Sequence, residues 1–352
     1  MTTEFRFGII GCGVISHTHA EEISKIKGAK LVAVADVVED CAKSVAQTYG
    51  VDWYSDYLEL LKRDDIDIVN ILTPSGMRAE VVIEAARHGK HIIAEKPIDV
   101  TYEKATSMIQ ACRDAGVKLA VISQHRFDMS TVKVKKSIEE GKFGRLVLGE
   151  CAVNWYRTQG YYDSGAWRGT WAMDGGGALM NQSIHTIDLL QYLVGPVDSV
   201  FAHTATLAHE RIEVEDVAVS TVKFKNGALG TIVGTTSAFP GLSARLEVFG
   251  TNGSAVIEHD KLTHLFVKSK DPEEQINNLA EKDLDAHDPS TVFGYAHRLQ
   301  IEDMMHAIRE DREPLVNGEE GLKPLEIILA IYESAKTGKE IKLPYKTVEA
   351  NR

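Results

Sequence analysis

The chain is poor in cysteine and has no long apolar run, and each shortage excludes a class of protein. Its four cysteines, Cys12, Cys41, Cys112 and Cys151, lie far apart with no CxxC pair. Neither a disulfide scaffold nor a thiolate zinc site is therefore written into it. The N-terminus runs into a first apolar strand without a secretory segment, so a reducing, cytoplasmic setting is expected. No apolar stretch approaches the roughly 18 residues that cross a bilayer. Positive charge is also scarce: 39 Lys and Arg stand against 51 Asp and Glu, a formal net charge of −12. That balance disfavours broad binding to nucleic acid or to an anionic membrane, and leaves room for a few arginines gathered in one pocket. HExxH is absent, and His17 and His19 are two apart and diverge on a helix, so no metal is expected. Repeats and low-complexity tracts are missing. What is present is an ordinary globular composition, 44% hydrophobic and 26% charged, over 352 residues. That length suits two domains, each burying its own core.

The most informative segment is Phe5 to Ser16, a short apolar strand followed at once by a glycine-rich turn and a helical stretch. In such a turn the first glycine permits a tight reversal and the second lets a pyrophosphate approach the backbone. The helix start, here Val14 and Ile15, supplies unpaired N–H groups and a positive dipole end. Those glycines are Gly11 and Gly13; the third position of the fingerprint is Ser16. A second apolar run, Lys30 to Ala35, ends in Asp36, at the spacing of a carboxylate that accepts from both ribose hydroxyls. Residues Val37 to Asp40 bring no lysine or arginine to balance a 2′-phosphate. NAD, rather than NADP, is the expected cofactor.

Strand and helix then alternate to about residue 123, with strands at Asp67–Leu72, His91–Ala94 and Lys118–Ile122 and helices at Ala79–His88 and Tyr102–Ala115 closed by Gly89 and Gly116. Such alternation predicts a doubly wound parallel sheet of the Rossmann type, with ligands beyond the carboxyl ends of its strands. Those ends carry Gly11 to Gly13, Asp36, Thr73-Pro74 and Glu95-Lys96-Pro97. After Gln124-His125-Arg126 the texture becomes that of short alternating strands with tight turns, Leu146–Asn154, Ser199–Leu207, Val217–Phe224, Gly230–Thr236 and Ala244–Phe249. One helix, about Gly176–Tyr192, interrupts them. Lys270–Ser290 reads as a polar, acidic surface excursion, and Val292–Arg312 and Leu322–Thr337 as closing helices. The expected architecture is an α/β dinucleotide-binding domain over 1–123 and an α+β domain over 124–352, for substrate binding and oligomerisation, with a large, mostly antiparallel open sheet.

Two places invite chemistry. Lys96 follows a strand end beside the expected nicotinamide, where an ammonium stabilises negative charge developing on an alcohol oxygen and a shifted lysine could shuttle a proton; a surface lysine capping a loop is the alternative. Pro97 leaves a cis bond open. The second place is Gly175-Gly176-Gly177 and the helix after it, where Asn181, His185 and Asp188 at i, i+4 and i+7 share one face. His185 is suited to accept a hydroxyl proton near neutral pH. Asn181 could hold the hydroxyl or the imidazole, and Asp188 could orient His185 or bond to backbone. A structural histidine is the other reading. Arg126, Arg157 and Arg168 would suit a substrate carboxylate or phosphate if they converge. Trp155, Trp167, Tyr161 and Tyr162 could stack on a sugar or serve as core.

Taken together, the GxGxxS turn, Thr73-Pro74, Glu95-Lys96-Pro97 and Gly-Gly-Gly followed by Asn181, His185 and Asp188 resemble the Gfo/Idh/MocA oxidoreductases over nearly the whole chain. Gln159 to Asp163, Trp167 to Trp171, Met180-Asn181-Gln182 and Glu213 to Asp216 look most like the bacterial UDP-N-acetylglucosaminuronate 3-dehydrogenases of that family. The resemblance implies a two-domain fold, tightly bound NAD(H), a homodimer or homotetramer through the C-terminal sheet, and a lysine and histidine at the reacting carbon, which fall on Lys96 and His185. Inositol dehydrogenases of the family carry aspartate where Asn181 stands, and many members have histidine where Arg78 stands. The resulting site has Lys96, His185 and Asn181 as catalytic residues. Gly11, Gly13, Val14, Ile15, Asp36, Thr73, Pro74, Glu95, Lys96, Trp167 and Arg168 hold NAD, and Arg126, Arg157, Tyr162, Asn181 and Asp188 hold the substrate. The expected reaction is oxidation of a pyranose ring hydroxyl, at C3, of a sugar or nucleotide sugar. The alternatives are a dehydrogenase of a free sugar, glycoside or inositol, an NAD-dependent glycoside hydrolase of the same fold, and a non-catalytic sensor.

Overall fold

The computed structural model describes residues 4–269 and 294–345, which divide into two compact units. In the first, six strands form one sheet: β1 (Phe5–Ile10), β2 (Ala29–Ala35), β3 (Asp52–Tyr54), β4 (Ile68–Ile71), β5 (His91–Ala94) and β6 (Leu119–Val121). Their order is β3-β2-β1-β4-β5-β6, and every pair is parallel. The chain reverses its direction of winding between β1 and β4, the position where doubly wound sheets open a ligand crevice. Helices cover both faces, so β4 and β6 are buried along their whole length. This is why they read in the sequence as unbroken apolar runs.

The first unit also takes residues from far along the chain. The break falls after Gln124, but the stretch from Gly294 to Leu322 belongs with the first unit rather than with the second domain expected over 124–352. The cause is apolar burial. Helix Tyr295–Glu310 inserts Ile301, Met304 and Met305 into the cluster formed by Phe7, Ile9, Ile23 and Val34. Polar contacts pin it: Arg298 Nε donates to Glu22 at 2.7 Å, and Gln300 accepts from Ser123 N at 3.0 Å while donating to Val121 O at 2.7 Å.

The second unit is built on an eight-stranded sheet: β7 (Leu146–Asn154), β8 (Val197–Ala205), β9 (Val217–Phe224), β10 (Leu229–Thr235), β11 (Arg245–Gly250), β12 (Gly253–Glu258), β13 (Lys261–Val267) and β14 (Ile341–Lys342). The order is β13-β12-β11-β7-β10-β9-β8-β14, antiparallel except between β7 and β10. Burial alternates along β9 residue by residue, one face in and one face out. Helix Ile184–Val194 is buried at nine of its eleven positions and lies close against the sheet. A Cβ at Gly149 would meet Val194 Cγ2 at 2.6 Å, and one at Gly234 would meet Ser183 Oγ at 2.6 Å, so these strand glycines set how near the helix can come.

The helix expected over Gly176–Tyr192 has a different start. Ala178–Ser183 forms a π-helical turn that leads into the α-helix Ile184–Val194. The excursion expected at Lys270–Ser290 lies outside the described residues. Among those described, no helix is long and apolar enough to cross a membrane.

Candidate active site

The strand ends of the first unit are built around the glycine turn. Gly11 has φ +100°, and a Cβ there would lie 2.8 Å from the Leu72 carbonyl carbon, so both conformation and space demand glycine. Gly13, by contrast, opens onto empty space and forms the N-cap of helix Val14–Lys25 with no side chain on the first-turn amides. Val14 and Ile15 stand at that helix start, and Val14 is 91% exposed. Ser16 explains its own place in the fingerprint: it is fully buried, and its hydroxyl donates to Gly13 O at 2.6 Å, leaving no unpaired polar group. Asp36 accepts from Cys12 N at 2.7 Å and from Val38 N at 2.8 Å. The carboxylate is thereby fixed to the glycine turn. An open helix N-terminus, a backbone cradle that admits no Cβ at Gly11 and a fixed acid with no cation among the next four residues are what a dinucleotide with a free 2′-hydroxyl requires.

Lys96 is held from both sides. Before it, the buried Glu95 carboxylate accepts from Lys96 N at 3.0 Å and meets His19 Nε2 at 3.1 Å. His19, itself fully buried, meets Asn70 Nδ2 through Nδ1 at 2.8 Å. Burial opposes the charge on Glu95, but the His19 hydrogen bond and the nearby His19, His297 and Lys96 side chains more than offset it and hold the carboxyl well below the usual carboxylate range. After it comes Pro97, joined by a cis bond. Its carbonyl accepts from buried Arg78 Nη1, whose Nη2 donates to Thr73 O at 3.0 Å. Burial lowers the Arg78 guanidinium to about 10. Arg78 thus ties the Thr73-Pro74 and Lys96-Pro97 loops together, which gives a structural reason for arginine here. Thr73 Oγ1 is buried without a partner, a polar atom suited to a ligand beside these loops. His19 and Asn70 were not expected in this network. The sequence signal was a histidine on the buried face of the cofactor helix.

In the second unit the π turn begins under strong constraint. Glu215 is buried and accepts from Gly177 N and Leu179 N, both at 2.9 Å, and from Tyr332 Oη at 2.9 Å. A Cβ on Gly177 would lie 1.8 Å from Glu215 O. Burial pushes the Glu215 carboxyl up to about 7 against these donors. Asn181 is half-buried and donates through Nδ2 to Asp174 Oδ1 at 2.7 Å. His185 is also half-buried, and its ring lies edge-to-face on His125, centroids 5.0 Å apart.

Several expected ligand groups are instead used internally. Arg126 and Asp188 are 1% and 2% exposed, with Nε to Oδ2 at 2.8 Å and Nη2 to Oδ1 at 2.6 Å. A buried guanidinium requires a carboxylate, and Asp188 supplies it. The pair expected at the substrate is enclosed in this structure, where it braces the helix against the 125–127 turn. Tyr162 is likewise enclosed, 4% exposed with its hydroxyl on Thr236 Oγ1 at 2.9 Å and its phenol raised to about 12 by burial. The expected gathering of three arginines reduces to two, which meet at Tyr161. Arg168 Nη1 donates to Tyr161 Oη at 2.7 Å and lies over the rings of Tyr161 and Trp167. Arg157 lies over Tyr161 and Trp155 and donates to Gln182 Oε1 at 2.8 Å, while Gln182 Nε2 donates to Tyr161 Oη at 3.0 Å. Gln182 and Tyr161 complete a cationic, aromatic cluster that the arginine spacing alone did not show.

A parallel sheet ending in a dinucleotide turn in one unit, and a histidine-bearing helix in the other, are the parts of an NAD-dependent oxidoreductase that acts on hydroxyl groups. The chain belongs to the Gfo/Idh/MocA family: a family model described as the NAD-binding Rossmann fold of this oxidoreductase family matches residues 5–123, and one described as its C-terminal alpha/beta domain matches residues 135–343. It is similar to the WlbA dehydrogenase from Bordetella pertussis, solved with NADH and UDP-GlcNAcA, at 35% identity and TM-score 0.87 over 97% of this chain and all of the other. It is also similar to scyllo-inositol 2-dehydrogenase (NAD(+)) of Bacillus subtilis, 28% identical over 98% of each chain. A third relative is the uncharacterized oxidoreductase YrbE of Bacillus subtilis, 33% identical over 77% of this chain and 79% of its own length. The chain is thus a sugar or polyol dehydrogenase of this family that uses NAD.

Proposed function

We propose that this chain oxidises a pyranose ring hydroxyl, at C3, of a nucleotide sugar such as UDP-N-acetylglucosaminuronate. The observation that carries the substrate half of this reading is the meeting of Arg157 and Arg168 on Tyr161 with Gln182. Two guanidinium groups beside aromatic faces suit the diphosphate or carboxylate of a sugar nucleotide, and the likeness to WlbA supports the same choice.

The chain's own residues divide the work. Backbone amides of Gly13, Val14 and Ile15 receive the pyrophosphate and Asp36 accepts from the adenosine ribose. Thr73, Pro74 and Glu95 complete the cofactor's surroundings. When bound, NAD supplies the hydride acceptor. His185 takes the hydroxyl proton, Lys96 stabilises the negative charge that develops on that oxygen, and Asn181, oriented by Asp174, positions the hydroxyl.

The chain works as a homo-oligomer in this reading. Phe201, Val219 and Leu229, at 38%, 50% and 56% exposure, lie on the outer side of adjacent strands β8, β9 and β10 with His203, Thr221 and Lys223 between them, a mixed sheet face with exposed apolar side chains that a second copy would cover. Light scattering checks this directly.

The substrate test is NADH formation at 340 nm across UDP-N-acetylglucosaminuronate, UDP-N-acetylglucosamine, free glucose, glucosides and myo-inositol. A keto acceptor is added in parallel to cover a cofactor that stays bound. Turnover confined to the UDP-sugars is the expected result. The second reading is a free sugar or inositol, favoured by the inositol dehydrogenase relative, and turnover of those compounds alone would replace the first.

A further inference from the structure

His125 contacts His185, and three features of the surrounding sequence are arranged around it. His125 lies in the turn Gln124–Phe127 that follows β6, with its ring edge-to-face to that of His185. Asp128 is the N-cap of helix Met129–Glu139, a position where aspartate ordinarily accepts from a first-turn N–H for roughly 1 kcal/mol. Here it makes no such bond. Its Oδ2 instead lies 2.7 Å from His125 Nδ1. A second carboxylate arrives from the two-residue hairpin turn between β12 and β13, where Asp260 Oδ1 is 3.3 Å from the same nitrogen. That turn places His259 and Asp260 at φ +53° and +63°, a conformation that normally selects Asn-Gly. Ser130 Oγ, donating to Asp260 O at 2.8 Å, docks the turn on the same helix.

We propose that Asp128 and His125, backed by Asp260, form a positioning device for His185 that orients its imidazole and keeps it in the neutral, proton-accepting form. The proposal rests on the reading of His185 as the base. Nδ1 of His125 faces two carboxylates and so carries a hydrogen, and both acids favour the doubly protonated ring. A cation about one ring away opposes protonation of His185. Titratable groups that face His125 include Asp128 from its own turn, Asp260 from the hairpin and His185 from the helix. Arg126, its neighbour in the chain, is turned to Asp188. Asp128, His125 and Asp260 are positioning residues, since the proton itself is taken by His185.

The test is a pH titration of the full chain labelled with [ε1-13C]histidine and followed by NMR, with H185N and H125F assigning the two rings. In H125F, which keeps a ring edge without charge and leaves both carboxylates in place, the His185 midpoint should rise by at least about half a pH unit. With the sugar that is turned over, H125F should lose several-fold in kcat at the acid end of the profile, with KM and NADH affinity little changed. An unmoved or lowered His185 midpoint in H125F, or a kcat lowered equally at every pH, overturns the proposal. Near-normal turnover in H185N removes the base itself and the proposal with it. An inactive H185N with a flat titration removes this proposal alone and leaves the assigned base standing.

Discussion

The strand ends of the first unit and the glycine-led helix of the second carry the same kinds of side chain and use them in opposite ways. Asp36 is half-buried, with two backbone amides holding a carboxylate at the edge of the glycine turn. Asp188 is buried and committed to Arg126. The histidines divide in reverse: His19 in the first unit has both ring nitrogens engaged in the interior, whereas His185 in the second is half-buried beside His125. In a parallel sheet, the position of a residue at a strand end largely decides that it faces a ligand. On a helix lying against an antiparallel sheet, the partner that arrives from elsewhere decides it.

The largest expected effect breaks the Arg126–Asp188 pair. Asp188→Ala leaves a buried guanidinium without its carboxylate and should destabilise the second unit by roughly 3–5 kcal/mol, seen as a lower midpoint in urea. Replacing both residues by apolar side chains of similar volume should restore most of that loss. Unchanged stability with weakened substrate binding would instead return the pair to the ligand-facing role that its spacing suggested.

A smaller effect comes from Glu215, which pins the start of the π turn. Its carboxyl is raised to about 7 in the folded protein, and the unfolded chain releases that proton near the ordinary glutamate value. The folded state therefore holds the extra proton between these two values. The resulting stabilisation is complete below the unfolded value and is lost as pH rises through about 7, a change on the order of 3 kcal/mol. Glu215→Gln, which cannot ionise, should flatten stability between pH 5 and 8 in denaturant titrations. A variant with the same pH slope as the parent would show that another group is responsible.

The smallest effect sharpens the first-unit half of the comparison. Asp36→Ala removes the ribose acceptor and frees Cys12 N and Val38 N, so NAD should bind about 10- to 100-fold more weakly, with a narrower gap to NADP. Fluorescence titration with both cofactors reads this, and an unchanged preference would refute the assignment.

The same contrast explains what could be read in advance. The glycine turn, Asp36 and the parallel character of the sheet were legible because fully buried parallel strands leave continuous apolar runs and their ends are fixed by topology. The short half-exposed edge strand Asp52–Tyr54 left no such run. The return of Ile301, Met304 and Met305 to the first core was hidden because nothing local marks a contact across some 290 residues of chain. At the candidate site, the i, i+4, i+7 pattern singled out Asn181, His185 and Asp188 but not the π turn that holds Asn181, because six residues are too few to show a period of their own. Glu215 was visible only as part of a motif, because its role depends on amides at Gly177 and Leu179. Arginine spacing could not tell Arg126, enclosed with Asp188, from Arg157 and Arg168 on Tyr161.

The assignment of His185 as the base is the central claim, and His185→Asn tests it most directly. NADH formation from the best panel sugar and NADH affinity by fluorescence are measured on the same preparation. A kcat lowered by about 10²- to 10⁴-fold with cofactor affinity within about twofold of the parent is the predicted result. Near-normal turnover would contradict the account and move the base to another residue.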